Sequence, residues 1–239
     1  MIRAGLLISC EHASPALPAR YGRLGLSAAV LRSHLAWDPG ARQVGRHLAR
    51  ALGCSCHEGR YSRLLIDLNR SLSNPHLIPA RSAAVSVPGN SGISAAERER
   101  RVQQYYTPYR TGVVDAIRDV VERCGTCVHV SVHSFVPMLN GVERRADIGL
   151  LYDPARVRER RGANWLAESL RAQGLRVRLN YPYRGVNDGM TTHCRQLFPA
   201  RRYVGLEVEM NQRLLGKNRE RRRVARALEA SLRGFVVSE

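Results

Sequence analysis

The chain has 239 residues, 44% of them hydrophobic, which is enough for one sizeable core, and a single domain spanning 1–239 is expected. No apolar run approaches the ~18–20 residues that a bilayer-spanning helix needs, and the N-terminal apolar run meets Glu11 and His12 too soon for a secretory leader, so a cytoplasmic protein is expected. The net charge of +18 raises nucleic-acid binding as a role. However, Lys217 is the only lysine among 38 basic residues, the arginines run the whole length of the chain, and aromatics are only 6%. With no nucleic-acid motif in view, the arginine excess reads as compositional bias, and the positive field as a means of concentrating small anions.

Strand and helix alternate along the chain. Gly5–Cys10 reads as a strand. A helix is expected from Asp38 to Leu52, with Asp38 as its N-cap, Pro39 at its first position and Gly53 as its stop. Arg63–Leu68 reads as a strand, and the Pro-, Ser- and Asn-rich stretch 72–90 as a long loop. Ser94-Ala95-Ala96-Glu97 has the form of a capping box; it opens a helix to about Cys124, with an irregularity at Pro108. Strands follow at Val128–Val132 and Asp147–Tyr152, a helix at Ala163–Gln173, a short strand at Arg176–Leu179, a strand at Tyr203–Met210, and a basic helix from about Arg213 to Leu232. This alternation predicts an α/β fold of three α/β/α layers around a mixed, mostly parallel sheet.

Two histidines stand at the C-terminal ends of strand-like runs. His12 closes Leu6-Leu7-Ile8-Ser9-Cys10-Glu11-His12, and His133 lies near the end of His129-Val130-Ser131-Val132-His133-Ser134-Phe135. In an open α/β sheet that edge is where ligands bind. Two imidazoles and an acid delivered there from distant parts of the chain suggest a mononuclear metal site of the hydrolytic kind. His129 shares the strand face of His133 but lies deeper, as a packed residue or one that supports a ligand from behind. Glu207 and Glu209, two apart on an apolar strand, face the same way. Buried carboxylates there must pair with a charge or a metal, or do chemistry. Arg63 and Arg70 flank Asp67 and are suited to hold a carboxylate; a structural Arg–Asp pair is the competing reading. The stretch 180–193 is a Gly- and hydroxyl-rich loop that either wraps a substrate or simply turns. Cys54, Cys56, Cys124 and Cys127 could form a four-thiolate zinc site, but ordinary reduced thiols are expected.

Several motifs occur in order: Ser9-Cys10-Glu11-His12-Ala13-Ser14, Trp37-Asp38-Pro39-Gly40-Ala41, Ser62-Arg63-Leu64 through Asp67-Leu68-Asn69-Arg70, His133-Ser134-Phe135-x-Pro137 and Glu209-x-x-Gln212-x-Leu214. Together the set resembles the N-formylglutamate amidohydrolase family over about residues 6–215, a family related to the zinc carboxypeptidases and their phosphorylase/hydrolase-like fold.

The resemblance implies one Zn2+ per chain, held by His12, His133 and an acid, with Glu209 as the base that serves the attacking water. Carboxypeptidases take their acidic ligand from His-x-x-Glu, which His12-Ala13-Ser14-Pro15 lacks. Glu11 is therefore the expected ligand and Asp38 the alternative. Arg63, Asp67, Arg70 and Asp38 are assigned to the substrate-binding wall. The expected reaction is hydrolysis of the amide of a small anionic N-acyl amino acid, most simply N-formyl-L-glutamate to glutamate and formate. A carboxypeptidase-like peptidase, another amidase, and an inactive basic nucleic-acid-binding protein are the alternatives.

Overall fold

The computed structural model of the protein describes residues 5–238. In chain order its elements are β1 (Gly5–Cys10), α1 (Ala28–Arg32), α2 (Ala41–Leu52), β2 (Ser55–Glu58), the two-residue strands β3 (Arg81–Ser82) and β4 (Val85–Ser86), α3 (Ala95–Arg101), a π-helical turn (Val102–Tyr106), α4 (Thr107–Cys124), β5 (Cys127–Phe135), the short pair β6 (Met138–Leu139) and β7 (Val142–Glu143), β8 (Ile148–Leu151), α5 (Val157–Ala172), β9 (Val177–Leu179), α6 (Met190–Leu197), β10 (Tyr203–Asn211) and α7 (Asn218–Ser238).

Six strands form the main sheet in the order β2-β1-β5-β10-β8-β9. The first four run parallel, and β8 joins β10 antiparallel, with β9 parallel to β8. The sheet is thus mixed and mostly parallel, with helices on both faces, as the alternation of elements predicts.

The period-2 alternation of the central strands divides the molecule. Even-numbered positions of β1, β5 and β10 (Leu6 and Ile8; Val128, Val130 and Val132; Val204, Leu206 and Val208) form one core with residues of α2, α5 and α7. Odd-numbered positions face α4 and α6. At the N-terminal ends of the strands these are apolar, namely Leu7, Cys127 and Tyr203. Toward the C-terminal ends they turn polar: Ser9, His129, Ser131, His133, Glu207 and Glu209, all buried. One face of the sheet is therefore a plain core, and the other runs from core to chemistry along its strands.

Several local expectations are corrected. Asp38 is not the N-cap of α2; Gly40 is, in the left-handed region at φ 87°, and it lies so close to Leu215 that a Cβ there would sit 2.5 Å from that side chain. The Asp38 carboxylate is therefore free to point elsewhere. Arg63–Leu68 is not a strand but a buried turn. Its apolar side chains divide between two small cores, Leu64 in one and Leu65, Ile66 and Leu68 in the other. Its carbonyls find side-chain donors instead of a strand partner: Asn90 donates to Leu64, Arg101 to Leu65 and Arg110 to Leu68. In the helix opened by Ser94 only half of the capping box forms. Ser94 Oγ accepts from the Glu97 amide, while the Glu97 carboxylate turns to Arg100 and Arg101. The irregularity is the π-helical turn just before Pro108. The last four residues of the loop 180–193 are helical, as the start of α6.

Candidate active site

His12 follows β1, His133 lies on β5, and Asp38 sits in the loop before α2. The Asp38 amide donates to the His12 carbonyl at 2.9 Å, which ties the two loops together. Asp38 Oδ2 is 2.9 Å from His133 Nδ1 and 3.5 Å from His12 Nδ1. Ligand atoms of His12, Asp38 and His133 all lie within 4.8 Å of one another, and this is the only such group of metal-ligating side chains among the described residues. The cysteines form no comparable cluster there and are free thiols.

The far edges of both imidazoles are also held. His12 Nε2 donates to Asp67 Oδ1 at 2.7 Å. His133 Nε2 lies 3.0 Å from Glu11 Oε2 and 2.9 Å from Ser131 Oγ. Glu11, the expected acidic ligand, is therefore outside the cluster, and Asp38, the alternative, is inside it. Glu11 Oε2 accepts from Ser131 Oγ at 2.6 Å and Oε1 from the Tyr109 hydroxyl at 3.1 Å, so its neighbours hold the carboxylate behind the histidine. Ser131 is legible in hindsight as the middle of a His-x-Ser-x-His face.

The set fits a divalent cation on the donor chemistry of the site. His12 Nδ1 is a buried nitrogen without a hydrogen bond, and with Nε2 donating to Asp67 it carries a lone pair. Metal-bound histidines characteristically donate their other nitrogen to a carboxylate, and both histidines here have one at that edge.

The electrostatics of the two histidines differ. Burial and the nearby Arg63 guanidinium push the His12 pKa down to about 4, so this imidazole is neutral at pH 7. Burial opposes charge on His133 as well, but the hydrogen bond and the negative charge of Glu11 outweigh it and raise the pKa to about 9. For Glu11 and Asp67 burial likewise favours the neutral acid, yet His133 and Ser131 hold Glu11, and His12 and Arg63 hold Asp67, well below the usual carboxylate range.

A cleft of about 160 Å³ opens over the cluster. Arg63 and Arg70 line it, together with Tyr183, Arg184 and Asn187 from the loop before α6. Arg63 pairs with Asp38 through its guanidinium, and Arg70 Nη1 donates to the Asp188 carbonyl at 3.1 Å. Asp67 is turned toward His12. Asn69, which the sequence reading did not assign a role, lines the cleft and places its amide nitrogen 3.5 Å from His133 Nε2.

Glu207 and Glu209 both reach the cleft from β10, opposite Ser131 and His133 in the strand register. They differ in what holds them. Glu207 Oε1 accepts from Thr191 Oγ1 at 2.5 Å. Glu209 Oε2 is buried without a hydrogen-bond partner among the described residues. Burial, reinforced by the charge of Glu207 and partly offset by His133, raises the Glu209 pKa above that of an ordinary glutamate.

The chain is similar in sequence and fold to known proteins. The crystal structure of gene product Atu2144 from Agrobacterium tumefaciens is 34% identical, with a TM-score of 0.88 over 98% of this chain and 91% of that one. The N-formylglutamate amidohydrolase from Ralstonia eutropha JMP134 shares the fold at 22% identity, with a TM-score of 0.80 over 98% of this chain and 93% of that one. No curated protein matches the chain. The sequence profile of the N-formylglutamate amidohydrolases matches residues 4–216, which include every strand of the main sheet and every residue that lines the cleft, and the chain belongs to that family.

Proposed function

We propose that the protein is a zinc-dependent amidohydrolase that cleaves the amide of an N-acyl amino acid, most simply N-formyl-L-glutamate to glutamate and formate. The observation that carries this reading is the unpartnered, lone-pair-bearing His12 Nδ1, set beside Asp38 and His133 in a cluster whose outer edges are held by Asp67 and Glu11. His12, His133 and Asp38 would hold one ion per chain, with Asp38 in the place first expected of Glu11. Such an ion supplies Lewis acidity to the scissile carbonyl and acidifies water toward a pKa of about 7.

The remaining chemistry belongs to the chain. Glu209 has a free buried oxygen on the cleft and a pKa raised above that of an ordinary glutamate, properties that suit a general base. It accepts a proton from the attacking water and returns it to the leaving nitrogen, so that water adds across the C–N bond to give an acid and an amine. Glu207, held by Thr191, is suited to fixing that strand edge rather than to moving protons. Arg70 and Arg63 bind the substrate carboxylates by charge-assisted hydrogen bonds, and Arg63 also neutralises Asp38. Asp67 serves His12 rather than the substrate directly. No helix among the described residues is long and apolar enough to cross a membrane, and the cleft is sized for a small molecule.

The direct test is metal analysis together with hydrolysis assays on a panel of N-acyl amino acids. About one zinc per chain, lost with activity on chelation and restored with it, is expected. Full activity in rigorously metal-free protein would overturn the assignment, as would salt-sensitive nucleic-acid binding with no hydrolysis and no metal.

A further inference from the structure

The Glu11 carboxylate has two sides. Oε2 meets Ser131 and His133, while Oε1 accepts from the Tyr109 hydroxyl, which also lies 3.3 Å from the His57 carbonyl oxygen. The Tyr109 side chain is a wall of a second cavity, of about 370 Å³, which shares no lining residue with the cleft. The segment 60–70 separates the two spaces. Its Arg60, Tyr61, Ile66 and Leu68 line the cavity, and its Arg63, Asn69 and Arg70 line the cleft.

Two features indicate that the cavity is kept open. Gly112 lies inside α4 and lines it, and a Cβ built on Gly112 meets nothing within 4 Å. Its φ is not positive and a side chain there would meet no neighbour, so neither a left-handed turn nor a close contact requires the glycine. A helix-interior glycine carries a backbone-entropy cost that alanine avoids, and at this position that cost preserves empty space. On the neighbouring wall, Gln104 and Tyr105 come from the π-helical turn, a distortion that recurs at functional sites.

The lining chemistry selects a ligand class. Tyr61 and Tyr105 meet edge to face with ring centroids 5.2 Å apart, and with Tyr109 they offer aromatic surfaces to a flat ring. Ile66 and Leu68 are apolar. The Glu58 carboxylate is already paired with Arg42 and Arg46. Arg60 is exposed at the rim and makes no hydrogen bond or ion pair among the described residues. The volume is within the range of small-ligand sites. We propose that this cavity is a second binding site, for a small planar aromatic carboxylate, and that its occupancy is felt at His133 through Tyr109 and Glu11.

The test uses benzoate and its uncharged counterpart benzamide, titrated calorimetrically into the whole protein. Benzoate should bind more tightly, by about tenfold or more, because a charged hydrogen bond distinguishes the two. Arg60→Gln should remove that difference. Gly112→Leu, which pushes a branched side chain into the cavity, should weaken binding strongly. Gly112→Ala should weaken it less, and this variant carries the test if the leucine variant melts early. The imidazole NMR signals of His133 should move on benzoate binding in the wild-type protein and move far less in the Gly112→Leu variant. Absence of benzoate binding, or binding that survives undiminished in the folded Gly112 variants and so belongs to the arginines of the cleft, overturns the site. Bound benzoate with an unmoved His133 overturns the coupling.

Discussion

His12 Nε2 donates to Asp67 Oδ1 at 2.7 Å, and the opposite ring nitrogen is left buried without a hydrogen bond. Asp67 thereby decides the tautomer of His12 and keeps the Nδ1 lone pair available. Asp67→Asn keeps the shape of the contact but presents an amide that tolerates either tautomer. Outer partners of metal-bound histidines typically matter by about 10–100-fold in metal affinity. Zinc affinity of the Asp67→Asn variant, measured by competition with a chelating dye, should fall by that order with the fold intact. Undiminished affinity would remove Asp67 from the metal assignment.

Arg63 and Arg70 both line the cleft, but only Arg63 pairs with Asp38. The two substitutions should therefore separate. Arg70→Met should raise KM for an anionic N-acyl amino acid by about tenfold or more, the worth of one charged hydrogen bond, with little change in metal content. Arg63→Met should raise KM and change metal affinity as well, since Asp38 loses the guanidinium that pairs with it. An amidated substrate should feel the Arg70 change least. An equal KM penalty for acid and amide would show that Arg70 does not read substrate charge.

Beneath the cleft, Glu159 of α5 is fully buried against Arg195 of α6, with Arg195 Nη2 3.0 Å from Glu159 Oε2. Glu159 also accepts from the amides of Asp153 and Gly205, and Arg195 donates to the carbonyls of Gly185 and Gly205. The pair thus joins α5, α6, β10 and the loop that forms one cleft wall. Removing one member strands the other charge in the interior, which typically costs about 3–5 kcal/mol. Arg195→Met should lose that order of stability in urea unfolding. A change within about 0.5 kcal/mol, the range of ordinary surface substitutions, would show that the pair is dispensable.

The central frame was legible because β5 and β10 are long, β-branched and buried on both faces, a signal that outweighs local ambiguity. Their strand-end residues His133 and Glu209 were therefore placed correctly with respect to the sheet edge. Three things were hidden. The run 63–68 has the composition of a strand, and only the distant donors Asn90, Arg101 and Arg110 make it stable as a turn. The edge strand β2 is short, polar and partly exposed, with no period to read. The choice between Glu11 and Asp38 depended on where a loop turns. Asp38-Pro39 imitates a helix start, while the left-handed Gly40 takes the cap position and releases the Asp38 side chain toward His12 and His133. Adjacency in sequence favoured Glu11, and the Tyr109 and Ser131 hydroxyls that draw it away lie about 100 residues further along the chain.

Glu209 carries the largest burden in the proposed chemistry, and two independent measurements bear on it. With substrate, Glu209→Gln should retain the metal and lose about 10²–10⁴-fold in kcat, the usual worth of a positioned general base, while Glu207→Gln should lose less. Near-wild-type kcat in the metal-loaded Glu209→Gln variant would refute the role. The second measurement needs no substrate and no metal. The folded-state pKa of Glu209 is raised, chiefly by burial, so the folded protein favours the protonated acid. A group of this sign contributes stability that is fully present below its ordinary pKa and is lost as pH rises through the raised value. At neutral pH the wild-type, metal-free protein bears that loss, and the Glu209→Gln variant, whose amide is always neutral, does not. Thermal melting of metal-free protein should therefore show Glu209→Gln more stable than wild type at pH 7, with the gap closing as the pH falls through the raised pKa toward the ordinary glutamate value. A gap that is absent at pH 7, or that widens in acid, would mean that Glu209 is already satisfied as an anion in the metal-free site, and it would then lack the poised, unpartnered carboxylate on which its role as base depends.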